Sequence, residues 1–179
     1  MTNADLNTPA TRCTAVIVGP PGSGKTSVGR ALAQRWSVEF RDTDQDIEEE
    51  TGRTIADIFV ESGEAHFRGI ERDAVLTALR EHRGVLALGG GAVTDQGTRA
   101  LLQTARVVFL DVGLAEAMTR LEMNRSRPLL LGNVRAQWQT LAQARRPWYQ
   151  EVADQVVLTD GMSLAAIVEL IDGHWRIAT

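Results

Sequence analysis

The 179-residue chain predicts an α/β fold, a three-layer sandwich with a parallel five-stranded sheet between helices. Three observations predict it. Short apolar, β-branched runs alternate with longer amphipathic stretches, the pattern of a parallel sheet covered on both faces. The first run ends in a glycine-rich turn that opens directly into a helix. The composition, 44% hydrophobic and 23% charged, supplies an ordinary core for a single domain.

Taken in order, Ala15 to Val18 reads as a buried strand ending at Gly19, and a helix follows from about Lys25 to Trp36. Val38 to Phe40 is a second strand, running into Asp42-Thr43-Asp44. Asp46 to Glu50 is acidic and helical, stopped by Gly52. Thr54-Ile55-Ala56-Asp57 has the form of a capping box and opens the next helix. Gly63 interrupts that helix, and an amphipathic stretch runs from Glu64 to about His82. Val85 to Leu88 is the third strand, ending in Gly89-Gly90-Gly91. Thr98 to Gln103 is a short helix, and Val107 to Leu110 is the fourth strand, ending at Asp111. Leu114 to Met123 is helical, 124–134 reads as a mobile loop, and Arg135 to Arg145 is helical again. Val156 to Leu158 is the fifth strand. In the closing helix, Leu164 to Ile171, Leu164, Ile167, Val168 and Ile171 share one face. The pattern implies parallel strands and leaves their order open.

Residues 1–12 are polar, carry Pro9 and lack the apolar core of a signal peptide, so a flexible extension precedes a domain over 13–179. No apolar run is long enough for a bilayer, so no membrane partner and a cytoplasmic location are expected. The net charge of -4 gives no reason to expect a nucleic-acid partner. Cys13, the one cysteine, excludes an internal disulfide, and His66, His82 and His174 lack metal-ligand spacing. Arg greatly outnumbers Lys.

Gly19-Pro20-Pro21-Gly22-Ser23-Gly24-Lys25-Thr26 fits G-x-x-x-x-G-K-[ST] between a strand and a helix. Glycines let consecutive N–H groups point at phosphate oxygens, and the helix start adds partial positive charge. Lys25 can then reach the outer phosphates of ATP, and the Thr26 hydroxyl can ligate Mg²⁺. Gly22, Ser23, Gly24, Lys25, Thr26 and Ser27 are therefore the nucleotide-binding candidates. The motif does not name the acceptor.

Two carboxylate sets compete for the metal. Asp111 follows an apolar strand, whereas Asp42 and Asp44 end a weaker one and could equally cap the next helix. The residues alone leave that choice open. Arg68 has a similar ambiguity, because pairing with Glu64 or Glu71 on its own helix would make it a surface ion pair worth ~0.3–0.5 kcal/mol. Arg145 and Arg146 could be charges favoured by a helix C-terminus, and Trp148 could be plain core.

Beyond the phosphate loop, Asp42-Thr43-Asp44, Phe67-Arg68-Gly69-Ile70-Glu71, Leu88-Gly89-Gly90-Gly91-Ala92-Val93, Arg127-Pro128-Leu129-Leu130 and Arg145-Arg146-Pro147-Trp148-Tyr149 occur in the order seen in shikimate kinases. From Val16 to Ala153 the chain resembles that family. The resemblance implies a P-loop kinase-like fold with a mobile lid, at about 124–134, and a shikimate-binding helical segment. It implies transfer of a phosphoryl group from ATP to the 3-hydroxyl of shikimate, with Mg²⁺, in aromatic amino-acid biosynthesis. By position, Lys25, Asp44 and Arg127 look catalytic, Asp44 binding the acceptor hydroxyls and serving as base. Asp42 looks like the metal carboxylate beside Thr26. Arg68, Gly89, Gly90, Gly91 and Arg145 match the shikimate-binding positions, Arg127 the lid arginine, and Arg120 the arginine near adenine. Arginine suits an acceptor with one carboxylate, because its planar fork grips both oxygens.

Three features depart from the family pattern. Trp148 stands where leucine is usual, which bears on the substrate region, and the extension 1–12 is additional. Residues 158–163 lack the basic residue and proline of the adenine-side loop. A monomer is expected. The rival readings are another small-metabolite kinase of this fold, such as a gluconate kinase, and a non-catalytic nucleotide-sensing module.

Overall fold

The structure is a computed structural model that describes residues 13–123 and 133–175. Strands β1 (Ala15–Val18), β2 (Phe40–Asp42), β3 (Val85–Ala87), β4 (Val107–Asp111) and β5 (Gln155–Leu158) form one parallel sheet in the order β2-β3-β1-β4-β5. Around it lie α1 (Lys25–Trp36), α2 (Thr43–Thr51), α3 (Ile55–Glu81), α4 (Gln96–Leu102), α5 (Leu114–Met123), α6 (Val134–Val152) and α7 (Leu164–Trp175).

The strands alternate sides, as a period of two requires. Val16, Val18, Val107 and Phe109 face one core with Val75, Ala78 and Leu79 of α3 and Tyr149 and Val152 of α6. Ile17, Val108 and Leu110 face the other with Val28 and Leu32 of α1 and Ile167 and Ile171 of α7. The expected sandwich is thus present. With β1 between β3 and β4, the strand order reverses there, and a crevice opens at the C-terminal edge of the sheet.

Where element boundaries differ from the sequence reading, tertiary contacts explain it. β2 starts at Phe40 rather than Val38, because the Val38 N–H is spent on the Ala33 carbonyl at 3.0 Å, closing α1 behind the left-handed Ser37. α2 starts three residues earlier than expected, with Asp42 as its N-cap. α6 does not stop at Arg145 but continues through Pro147 to Val152. An interior proline costs ~3 kcal/mol; here Arg145, Arg146 and Tyr149, on both sides of it, are anchored to other elements. α7 extends past Ile171 because Asp172 accepts from Arg35 Nε and Trp36 Nε1, each at 2.8 Å. α4 starts at Gln96 rather than Thr98, capped by Asp95, whose carboxylate accepts from the Thr98 N–H at 2.7 Å.

The expected helix start and the expected interruption are both found. Thr54 caps α3, its hydroxyl accepting from the Asp57 N–H at 3.1 Å, while the Asp57 carboxylate accepts from that hydroxyl at 2.7 Å where a full capping box uses the N-cap N–H. Gly63, at φ 81° and ψ 166°, breaks the regular path of α3. Of the segment expected to form the lid, Asn133 and Val134 instead begin α6, the Asn133 side chain accepting from the Ala136 N–H at 3.2 Å. The rest of that segment, and the extension 1–12, lie outside the described residues. Among those described, no helix is long and apolar enough to cross a membrane. Cys13 is half-buried against Ala78 and His82, and burial pushes its thiol up to about 11.

Candidate active site

The phosphate loop leaves β1 at Gly19 and reaches α1 through Gly22 and Gly24, at φ +82° and +91°. L side chains avoid these angles, so the glycines are needed for the turn itself. Gly24 caps α1 without a side-chain hydrogen bond, which leaves the first-turn amides available to an anion. Lys25 Nζ donates to the Gly19 and Pro20 carbonyls at 2.9 and 3.2 Å. Ser23 is fully buried, and its hydroxyl has no hydrogen-bond partner in the described structure. Ser27 is exposed on the first turn of α1.

One turn into α1, the Thr26 hydroxyl donates to Asp42 Oδ2 at 2.8 Å, and Asp42 Oδ1 accepts from the Asp44 N–H at 3.0 Å. Asp42 therefore both caps α2 and stands beside Thr26. Burial, and then the charge of Asp44, raise its carboxyl above the ordinary carboxylate range; the Thr26 bond, the Asp44 amide and Lys25 offset this only in part. A hydroxyl and a desolvated carboxylate, with a second carboxylate two residues on, are hard oxygen donors that suit Mg²⁺. Asp111 is differently placed. It is buried at the end of β4, where Arg146 pairs with it and the Val112 N–H binds it at 3.0 Å.

Lys25, Thr26, Asp42, Asp44, Gly90 and Arg120 line one cleft. One wall of it is built on the Gly89-Gly90-Gly91 turn that follows β3. The Gly89 N–H donates to the Thr43 hydroxyl at 3.1 Å, tying the triplet to the start of α2. A methyl group on Gly89 would stand 2.5 Å from Asp44 Oδ1 and 2.8 Å from Glu71 Oε1. A methyl group on Gly91 would overlap the Arg68 guanidinium. The Gly90 carbonyl accepts from Arg145 Nη1 at 3.2 Å and from the Tyr149 hydroxyl. Asp44, Arg68 and Arg145, far apart in sequence, thus meet at three consecutive glycines.

Arg68 does pair with Glu64, at 3.3 Å, and with Glu71, on its own helix. The Glu71 pair is no surface pair, since Glu71 is 3% exposed. Burial raises the Glu71 carboxyl, opposed by Arg68 and, more weakly, by Arg145. Glu71 and Tyr149 stand in the motifs quoted above, but the sequence reading gave neither a role at the site. Glu71 ends the Phe67–Glu71 segment one turn beyond Arg68, and that spacing was the available signal. Burial pushes the Tyr149 phenol up to about 12, so it stays a neutral donor.

At the phosphate-loop end of the cleft, Arg120 of α5 donates to the Thr159 hydroxyl and carbonyl, both at 3.0 Å, and reaches the Gly22 and Ser23 carbonyls at 3.4 Å. It bridges the phosphate loop and the turn after β5. Thr159 is buried there and occupies a place where the basic residue of the family pattern is missing. Arg127 lies outside the described residues. Trp148 packs against the sheet core, and the Arg99 guanidinium lies over its ring at 5.2 Å.

The family model described as shikimate kinase matches residues 21–172. A shikimate kinase of Streptomyces coelicolor is 56% identical over 146 residues, covering 82% of this chain and 85% of that protein. One of Frankia casuarinae is 53% identical over 156 residues, covering 87% and 69%. Among solved structures, the shikimate kinase from Acinetobacter baumannii in complex with shikimate superposes with a TM-score of 0.83 at 34% identity, covering 93% and 96%.

Proposed function

The chain belongs to the shikimate kinase family, and we propose that its cleft carries out that family's reaction with the residues assembled at the two glycine loops. The enzyme transfers the terminal phosphoryl group of ATP to the 3-hydroxyl of shikimate, giving shikimate 3-phosphate and ADP. The observation that carries the reading is the meeting of Asp44, Arg68 and Arg145 at Gly89–Gly91, in reach of the phosphate loop. A methyl group on Gly90 would already touch the Pro21 ring at 3.2 Å.

The phosphate loop amides receive the phosphates, and Lys25 leaves the carbonyls it holds to meet the outer phosphate oxygens. Thr26 and Asp42 would hold Mg²⁺, which spreads the negative charge of the transferring group. Asp44 takes the proton of the acceptor hydroxyl. Arg68 and Arg145 grip the acceptor carboxylate, Glu71 holding Arg68 in place. Arg120 lies on the adenine side, and Arg127 is assigned by resemblance to charge neutralisation over the phosphates. Phosphoryl transfer needs positioning and charge stabilisation more than covalent chemistry, and both are present here. We place the enzyme in the cytoplasm, and we infer a monomer because one chain builds the cleft.

Family membership favours shikimate over gluconate as acceptor and a catalyst over a sensing module. The direct test is ADP release from ATP with shikimate, gluconate or a nucleoside monophosphate as acceptor. Shikimate should be used at least ~10²-fold better than the others, the discrimination of a site built around specific polar contacts. Equal use of gluconate would overturn the acceptor assignment.

A further inference from the structure

All five consecutive carbonyls from Gly19 to Ser23 accept hydrogen bonds from side chains. Lys25 takes those of Gly19 and Pro20, and Arg120 reaches those of Gly22 and Ser23. The middle one, Pro21, accepts from the Trp138 indole N–H at 2.9 Å. This pattern has a physical reason. A loop that offers its N–H groups to an anion must turn its carbonyl dipoles away, and the outward carbonyls need donors of their own.

The donors differ in what substrate asks of them. Lys25 is required at the phosphates, and Arg120 lies on the adenine side with its loop contacts already long. Trp138 is neutral, carries no role in binding charge, and is fixed. It is 8% exposed and packed with Val112, Ala117 and Met118 in a cluster between α5 and α6. That cluster also supports Gly22, where an added methyl group would stand 2.9 Å from the Ala117 carbonyl and 3.1 Å from Leu121 Cγ. Moreover, Trp138 lies on α6, the helix whose Arg145 and Tyr149 hold the Gly90 carbonyl. One rigid element therefore fastens both glycine loops by a carbonyl each.

We propose that Trp138 is a positioning residue for phosphoryl transfer, its indole N–H holding the Pro21 carbonyl outward so that the phosphate loop keeps its anion-receiving shape after Lys25 has moved to the nucleotide. The inference rests on the assignment of this loop to ATP, which wild-type ATP binding tests separately. It acts through the loop and predicts a selective defect. Acceptor contacts made by Arg68 and Asp44 are left alone.

The test uses two variants of the full-length enzyme. Trp138→Phe removes the donor and part of the ring. Replacing Trp138 alone by β-(3-benzothienyl)alanine keeps the shape and removes only the N–H. ATP affinity is measured by calorimetry without acceptor, and kcat and both KM values by ADP release. A neutral hydrogen bond of ordinary strength predicts ATP affinity and kcat/KM for ATP roughly five- to tenfold lower in both variants, with the KM for shikimate within about twofold. If the benzothienyl enzyme matches wild type, the N–H has no positioning role and the proposal fails, whatever Trp138→Phe does. An equal rise in both KM values also overturns it, because general loosening rather than loop positioning would then be the cause. If wild type itself binds no ATP, it is the assignment of the loop that fails.

Discussion

The two glycine loops at the heart of the cleft use the same residue for opposite reasons. In the phosphate loop, Gly22 and Gly24 sit at positive φ, and the backbone could not make its turn with side chains there. In the triplet, none of the three has a positive φ. Gly89 and Gly91 are needed because Asp44, Glu71 and Arg68 fill the space a Cβ would occupy. One loop is shaped for its own amides to be the ligand. The other is a floor that lets distant side chains converge. Damage to the first should therefore fall on the nucleotide, and damage to the second on the acceptor.

The largest effect is expected at Lys25, the only lysine in the chain. Lys25→Met removes the charge we assign to the transferring phosphoryl group, and kcat should fall by at least ~10²-fold, the scale for losing one key electrostatic donor. Its uniqueness gives a second readout. An amine-directed reagent has this single side chain to modify, so inactivation should track one labelled lysine by peptide mass spectrometry, and ATP should protect it. Full activity after complete labelling of Lys25 would remove the phosphate loop from the mechanism.

The glycines themselves separate the loops most sharply. Gly91→Ala should displace the Arg68 guanidinium and raise the KM for shikimate roughly ten- to a hundredfold, the equivalent of one charged hydrogen bond, with ATP affinity unchanged. Gly22→Ala should do the reverse, since left-handed backbone costs an L residue about 1–2 kcal/mol and the Ala117 carbonyl stands in the way. Its ATP affinity should fall about tenfold, with the KM for shikimate little changed. Steady-state kinetics on the pair decides the matter. If both variants lose both substrates equally, the loops are not functionally distinct.

The same contrast explains what could be read from sequence. The phosphate loop is a local object: its glycines, lysine and threonine lie within eight consecutive residues, so strand, turn, helix and ligand class follow from spacing. The triplet's function is non-local. Asp44, Arg68 and Arg145 come from α2, α3 and α6, and resemblance to a family, not spacing, assembled them. Arg68 illustrates the limit. Its pairing with Glu64 and Glu71 on one helix was foreseeable, whereas the burial of Glu71 that makes this a buried support was not. Boundaries slipped for the same reason. Val38 was apolar enough for a strand but went to close α1, and the helix expected to end at Arg145 runs on through Pro147 with its neighbours held by Gly90 and Asp111.

Asp42 and Asp111 give a smaller and opposed pair. Asp42→Asn should raise the Mg²⁺ concentration for half-maximal activity about tenfold or more, as expected for losing one hydrogen-bonded charged ligand. Asp111→Asn should not shift it, because Arg146 already neutralises that carboxylate. Stability should move the other way at Asp42. Its folded carboxyl is raised, so a penalty for ionising it in the fold grows as pH climbs from the ordinary carboxylate range through the raised value. Asn keeps the helix cap without the charge. Metal-free Asp42→Asn should therefore melt above metal-free wild type at neutral pH, and the gap should close on acidification. A lower melting temperature at neutral pH would mean that the fold does not penalise the ionised carboxylate.

The smallest effect is expected from the residue that departs from the family pattern beside the triplet's anchors. Trp148 lies between Pro147 and Tyr149, and its sequence position suggested an influence on the acceptor. In the structure its ring packs on the sheet core and lies under the Arg99 guanidinium, which also donates to the Val93 carbonyl at 2.7 Å. The tryptophan thus braces the turn that follows the triplet, through Arg99. Trp148→Leu, the residue usual in the family, forfeits a cation–π contact of about 0.5–1 kcal/mol. For a domain of this size that corresponds to a melting temperature lower by roughly 2–4 °C, with kcat and the KM for shikimate unchanged. Differential scanning calorimetry beside steady-state kinetics separates the two. A shift in the KM for shikimate larger than about threefold, without a matching loss of stability, would show that the brace reaches the acceptor floor and that the division between the two loops extends to α4.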